Sequence, residues 1–139
     1  MKLELSSLES AINSYKKLLL RIRDNNFFES LDEVTKNGLK AGVIQHFEFT
    51  YELCWKFMKR YIEHNVEKDV DYLTRKELFR LAFGAGLIEN IDNWFRYHIA
   101  RNESSLIYRK DKAEDIFQIS LQFIEDAERF LSELKKRND

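Results

Sequence analysis

The chain has 139 residues, a length that predicts one domain spanning residues 1–139 and a core that buries roughly two-thirds of the unfolded surface. Hydrophobic residues make up 44% of the sequence and charged residues 34%, which excludes a disordered chain. The 23 basic and 24 acidic residues leave a net charge of −1, so no global field attracts nucleic acid or anionic lipid, and any contact with RNA has to be local.

Residues that interrupt helices are scarce, since proline is absent and glycine occurs 4 times. We therefore expect an almost wholly helical chain. The single Cys54 excludes an internal disulfide. The first residues, MKLELSSLES, have neither an apolar signal core nor a transit-peptide composition, and no apolar run reaches the roughly 18 residues of a membrane span. We expect a cytoplasmic protein with no membrane segment.

The first helix is predicted to begin at Ser6, because Ser6 and Glu9 have the spacing of a capping box. It should end between Asp24 and Asn26. Its apolar residues alternate at spacings of four and three, and they are Leu8, Ile12, Tyr15, Leu19 and Ile22. For residues 32–42 the pattern leaves helix or loop open, because two glycines lower the helix propensity there.

The segment from Val43 to Asn65 is predicted as a helix that is apolar over most of its circumference. One stripe comprises Ile44, Phe47, Tyr51, Trp55, Met58 and Ile62. A second stripe, which supplies the candidate residues for a dimer interface, comprises Phe49, Leu53 and Phe57. Such a helix has to be covered on two sides. The pattern leaves open whether the second cover is the same domain or another subunit.

Three capping positions mark the starts of further helices. The first is Thr74, with which Glu77 completes a capping box. The second is Asn90 or Asp92, and the third is Asp111. The first of these helices is short and should stop at Gly84 or Gly86, because glycine suits a left-handed cap. The last has a long apolar stripe and should extend to about Lys135. The chain is therefore predicted to be all-α, an antiparallel up-down bundle of four to five helices.

Few patterns in the sequence indicate catalysis. The three histidines and the one cysteine are too scattered for a metal site, and neither a glycine-rich phosphate loop nor a Gly-x-Ser-x-Gly elbow occurs. Glu48 and Glu52 lie one helical turn apart, a spacing that acid–base pairs use. Carboxylates at this spacing are usually solvated, however, and Glu52 can pair with Lys56. We expect neither a metal nor a cofactor.

The segment WFRYHIARNESSLIY, residues 94–108, has the polar outline of a nucleic-acid site. An arginine can neutralise a phosphate, and short polar side chains beside it can donate hydrogen bonds to the bound anion. The predicted phosphate-binding or substrate-binding residues are Arg101, Asn102, Ser104 and Ser105.

His98 precedes Arg101 by three residues and can share its helical face, which makes these two residues the candidates for catalysis. Packing among aromatic neighbours is the more common role for such a histidine. Tyr108 either exposes its hydroxyl group or fills the end of the bundle.

The run VIQHFEFTYELCWKFMKRYI, taken together with WFRYHIARNESSLIY, resembles the nucleotidyltransferase substrate-binding proteins, a branch of the HEPN superfamily. The resemblance extends over nearly the whole chain. It implies a HEPN-like helical bundle that pairs into a homodimer. It also implies a complex with a minimal nucleotidyltransferase, which would be a heterotetramer if two copies of each chain assemble.

Ribonucleases of the HEPN superfamily carry an arginine, a spacer of four to six residues and a histidine, which is often followed by x-Tyr. The resemblance places Arg101 at the arginine and Asn102 at the polar residue beside it. It places Tyr108 at the tyrosine to which the paired transferase attaches adenylate in toxin members, which makes Tyr108 a candidate modification site. After a spacer of four, five or six residues the histidine position is Leu106, Ile107 or Tyr108, so no permitted spacing supplies the histidine, and Leu106 cannot carry a proton.

Two functions follow from this resemblance. The first is a non-catalytic, dimeric partner subunit of a minimal nucleotidyltransferase, with a degenerate ribonuclease motif. The alternative is an RNA endonuclease toxin that works through Arg101 and His98 and is neutralised by the transferase through Tyr108. A general acid or base contributes roughly a hundredfold to ten-thousandfold in rate, so the missing histidine favours the first. A structural dimer without a ligand also fits the composition.

Overall fold

The computed structural model describes residues 2–104 and 110–138, apart from the side chains of residues 110 and 111, and every regular element in these ranges is a helix. The helices are α1 (Ser6–Arg23), α2 (Asn25–Glu29), α3 (Glu33–Asn65), α4 (Arg75–Gly84), α5 (Ile91–Glu103) and α6 (Lys110–Arg137). The predicted all-α bundle is confirmed. Within the described ranges, none of the helices combines the length and the apolar composition that a bilayer crossing requires.

Helix α3 is central, because it packs against α1, α4, α5 and α6. The aromatic core around Phe123 of α6 explains how these helices are held together. The Phe123 ring lies 5.2 Å from that of Phe47 and 6.3 Å from that of Tyr51, both on α3. It also lies 5.5 Å from Trp94 and 4.8 Å from Tyr97, both on α5. These contacts pack the first half of α5 and the middle of α3 against the same ring of α6.

The two apolar stripes of α3 are covered mainly by the chain itself. The first stripe is buried, with Trp55 partly so. In the second stripe, Phe57 is only 2% exposed and Leu53 is partly buried, whereas Phe49 is 60% exposed. Phe57 belongs to the core of its own domain, so its side chain offers no surface to a second subunit. Of the three candidate interface residues, Phe49 is the one whose side chain is mostly exposed to solvent.

Several predicted helix ends are confirmed. Thr74 and Glu77 form the capping box at the start of α4, with both reciprocal hydrogen bonds present. The Asn90 side chain accepts a hydrogen bond from the backbone N–H of Asn93 at 3.1 Å and caps α5. Gly86 follows α4 with φ of 79°, the left-handed conformation that favours glycine.

Other helix ends differ from the predictions in detail, or lie in a stretch that the pattern had left open. Ser6 is already the first residue of α1, and its backbone N–H donates to the Glu4 carboxylate at 3.1 Å, so no capping box forms with Glu9. Helix α3 begins at Glu33 and continues through both glycines, because Asp32 caps it by accepting from the Thr35 N–H at 2.7 Å. Helix α6 begins before the predicted capping residue and ends at Arg137.

Candidate functional site

Arg101 lies in the last turn of α5 and faces two carboxylates of α3. Its Nη1 donates to Glu48 Oε2 at 3.3 Å, and its Nε lies 3.3 Å from Glu52 Oε1 without hydrogen-bond geometry. Nη1 also donates to the hydroxyl oxygen of Ser104 at 3.1 Å. Ser104 is buried and donates its hydroxyl proton to Glu48. One guanidinium group therefore shares its charge between two carboxylates, and the three charged groups sum to −1.

The two carboxylates are not the solvated pair that the spacing predicted. The side chains of Glu48 and Glu52 are 27% and 34% exposed. Glu52 does not use Lys56 as its partner, since it contacts Arg101 and also accepts a hydrogen bond from the indole N–H of Trp55 at 2.9 Å. No group of three or more His, Cys, Asp or Glu that could hold a metal ion occurs in the described part of the chain.

His98 is held by a second polar network. Its Nδ1 lies 2.9 Å from Tyr51 Oη, and Arg75 Nη1 donates to the same hydroxyl oxygen at 3.0 Å. Because the guanidinium can only donate, the hydroxyl proton of Tyr51 remains available for His98 Nδ1. Burial first, and the Arg75 cation second, lower the pKa of His98. The imidazole is therefore neutral near neutral pH.

The aromatic packing expected for His98 is also present. Its ring lies 6.2 Å from that of Tyr51 and 6.4 Å from that of Phe79. Its Nε2 lies 3.4 Å from the side-chain nitrogen of Asn102. The imidazole is thus held on both ring nitrogens, which fixes its orientation.

The predicted site residues separate into two groups. Arg101 and Ser104 meet at Glu48, whereas Asn102 lies beside His98. Ser105, Leu106 and Tyr108 lie outside the described residues. No local pattern predicted that Arg101 contacts Glu48, that His98 contacts Tyr51 or that Tyr51 contacts Arg75, because the two residues of each pair are more than 20 positions apart.

Similarity to known proteins agrees with this architecture. The family model described as "Nucleotidyltransferase substrate binding protein like" matches residues 3–136. A protein of Haemophilus influenzae named "Probable ribonuclease HepT" is 32% identical over 139 residues, which cover 99% of this chain and 95% of that protein. A Haemophilus influenzae structure, described as revealing "the fold of a substrate binding domain of a nucleotidyltransferase", matches with a TM-score of 0.90 and 30% identity over 95% of this chain and 99% of that one. This chain belongs to the nucleotidyltransferase substrate-binding protein family.

Proposed function

We propose that this chain is the non-catalytic, dimeric substrate-binding subunit of a minimal nucleotidyltransferase. The observation that carries the proposal is the pairing of Arg101 with Glu48 and its proximity to Glu52. A phosphodiester at Arg101 would have to displace both carboxylates, and a cluster with a charge of −1 repels phosphate. The arginine of the ribonuclease motif is therefore engaged inside the protomer.

The residue at the histidine position supports the same reading. Leu106 follows Arg101 after four residues, and leucine supplies no proton transfer. The other imidazole of this segment, His98, is packed and held by Tyr51. The motif thus retains an arginine without a proton carrier in its usual place.

An RNA endonuclease is the second candidate function. It is favoured by the name of the Haemophilus influenzae relative and by the position of His98 one turn before Arg101 on α5. If His98 replaces the missing histidine, a neutral imidazole suits a general base.

RNA cleavage by purified protein separates the two functions. We expect no cleavage of single-stranded RNA by the unaltered chain. Leu106→His restores the proton carrier, and together with Glu48→Gln and Glu52→Gln, which free Arg101, it should give a gain of roughly a hundredfold or more. Adding Arg101→Ala to this triple variant should abolish the gain. Cleavage by the unaltered chain that disappears in both His98→Asn and Arg101→Ala would establish the endonuclease instead.

Association with a minimal nucleotidyltransferase is tested by co-purification and by the mass of the complex, for which we expect two copies of each chain. Failure to associate at micromolar concentrations would remove the main support for the proposal. Incubation with the transferase and ATP, followed by mass spectrometry, tests Tyr108 as the modified residue. Both proteins are expected in the cytoplasm.

The homodimer is tested at Phe49. Phe49 is 60% exposed on α3, in the stripe proposed to contact the second copy. Phe49→Lys should convert the dimer to a monomer in analytical ultracentrifugation. Phe83→Lys is the matched control, since Phe83 is 47% exposed on α4, and it should leave the mass unchanged. A dimer that persists in Phe49→Lys places the interface elsewhere.

A further inference from the structure

A cavity of about 390 Å³ lies beside His98, which forms part of its lining. It is lined by α3, the 70–74 segment, the first turn of α4 and His98. Its apolar wall is formed by Val70, Leu73 and Leu78, of which Val70 and Leu78 are buried. The volume falls within the roughly 300–1,000 Å³ that is usual for small-molecule sites. The cavity is therefore large enough for a small organic ligand.

The charges in this lining are not balanced. Lys59, Asp71 and Arg75 all line the cavity, and Lys59 is paired with Asp71 at 2.9 Å. Arg75 has no carboxylate partner among the described residues, and its hydrogen bond goes to the neutral Tyr51 hydroxyl. A guanidinium group has five N–H donors, and the only acceptor for those of Arg75 among the described residues is the Tyr51 hydroxyl oxygen. The lining thus carries one uncompensated positive charge.

Arg75 is also held in position before any ligand binds. Its guanidinium carbon lies 3.7 Å from the centroid of the Trp55 ring, and its Nη1 is fixed by Tyr51. A stacked, hydrogen-bonded guanidinium loses little conformational freedom when a ligand arrives. Arg75 is consequently prepared to recognise an anion beside an apolar wall.

We propose that this cavity binds a small organic oxyanion, with a carboxylate or phosphoryl group at Arg75 and an apolar body against Val70, Leu73 and Leu78. The guanidinium fork matches the paired oxygens of both groups, which is why the two share one site. A neutral ligand would instead cover the guanidinium without supplying a compensating negative charge. The binding requires no transferase, so its test does not depend on whether the chain associates with one.

The experiment is a titration of the ¹⁵N-labelled full chain followed by NMR, with the Trp55 indole N–H and the His98 ring as reporters. The probes are benzoate, phenyl phosphate, inorganic phosphate and benzyl alcohol. We expect benzoate or phenyl phosphate to shift both reporters, and the tighter of the two identifies the preferred anion. Arg75→Gln should bind roughly tenfold to a hundredfold more weakly, because a charge-assisted hydrogen bond is lost.

The matched control is Arg80→Gln, which removes an exposed cation from the same helix outside the cavity and should bind like the unaltered chain. Arg75→Lys keeps the charge without the fork and should give an intermediate affinity. Urea unfolding checks that each variant is folded, and the capping box at Thr74 does not involve the Arg75 side chain. The proposal would be overturned if Arg75→Gln bound the anions as tightly as the unaltered chain, or if neither reporter shifted. It would also be overturned if benzyl alcohol or inorganic phosphate bound with the same affinity as benzoate and phenyl phosphate.

Discussion

Two of the polar networks that join α5 to its neighbours differ in depth. Near the start of α5, Tyr97 and Asn93 both donate to Asp126 of α6. Asp126 is 6% exposed and Tyr97 is 1% exposed. At the end of α5, Arg101 pairs with Glu48 of α3, and their side chains are 33% and 27% exposed. We call the first the Asp126 network and the second the Arg101 network.

Because of this difference in depth, we expect the Asp126 network to contribute mainly to stability and the Arg101 network to be available for function. Breaking the Asp126 network should lower the stability of the fold substantially. A buried carboxylate without its donors, or a buried donor without its carboxylate, cannot form a replacement hydrogen bond with water. Water reaches the Arg101 network, and ion pairs of this kind contribute little to folding. Residues in the Arg101 network can therefore change partners without unfolding the bundle, which is what a binding site requires.

The largest effect is expected from Asp126→Ala. This change leaves the buried Tyr97 hydroxyl and the partly buried Asn93 amide without their acceptor, and it should lower the free energy of unfolding by about 2–4 kcal/mol. Urea denaturation measures the loss. Asp115→Ala, at an exposed position on the same helix, is the control and should change the free energy by less than about 0.5 kcal/mol. Equal losses in the two variants would contradict the comparison.

A smaller loss is expected from Tyr97→Phe. The ring keeps its packing 4.8 Å from Phe123 and only the donor to Asp126 disappears, so we expect a loss of about 1–2 kcal/mol in urea denaturation. Burial first, and the bond to Asp126 second, raise the pKa of Tyr97, so its phenol stays protonated and able to donate. Tyr72→Phe, at a tyrosine that is 61% exposed, should have almost no effect.

The Arg101 network should respond differently to the double variant Glu48→Gln with Glu52→Gln. Because these carboxylates are partly hydrated, the free energy of unfolding should change by less than about 1 kcal/mol. Removing two negative charges frees the Arg101 cation, so affinity for single-stranded RNA should rise severalfold at low salt, as measured by fluorescence anisotropy. A stability loss as large as that of Asp126→Ala, with unchanged RNA affinity, would remove the distinction between the networks.

The smallest effect concerns pH and His98. Burial and the Arg75 cation lower the pKa of His98 in the folded chain, so the folded state disfavours the proton that the unfolded state accepts at about pH 6.5. Neutral His98 therefore contributes stability above about pH 6.5. This contribution is lost as the pH falls from about 6.5 towards the lower pKa that His98 has in the folded chain. Urea denaturation between pH 7.5 and 5 should show a steeper decline for the unaltered chain than for His98→Asn. Parallel declines would show that His98 titrates alike in both states.

Features that depend on nearby residues were predicted well. The capping box at Thr74, the cap at Asn90 and the left-handed Gly86 were all identified, since each depends on residues within a few positions. The box expected at Ser6 is wrong because Glu4, outside that pattern, accepts the hydrogen bond of the Ser6 N–H.

The site was predicted less completely than the fold. The sequence singled out Arg101 and His98, but Glu48 and Glu52 were predicted to be solvent-exposed. Their spacing is the same whether the two carboxylates are hydrated or face an arginine of another helix. Arg75 carried no signal, because an arginine in the first turn of a helix is ordinarily exposed. Which cation meets which carboxylate depends on how α5 lies against α3, and no local pattern encodes that angle.

The sequence by itself determined the helical class and the core stripes of α1 and α6, because hydrophobic period and composition are local properties. The likeness to the nucleotidyltransferase substrate-binding family was also visible in the sequence, as a resemblance carried by two of its segments. The tertiary structure decided that Arg101 is paired inside the protomer, that Phe57 belongs to the core, and that Arg75 faces a cavity without a carboxylate partner among the described residues. These features arise where residues distant in sequence meet across packed helices. Their charges and exposure are therefore set by the packing of the bundle.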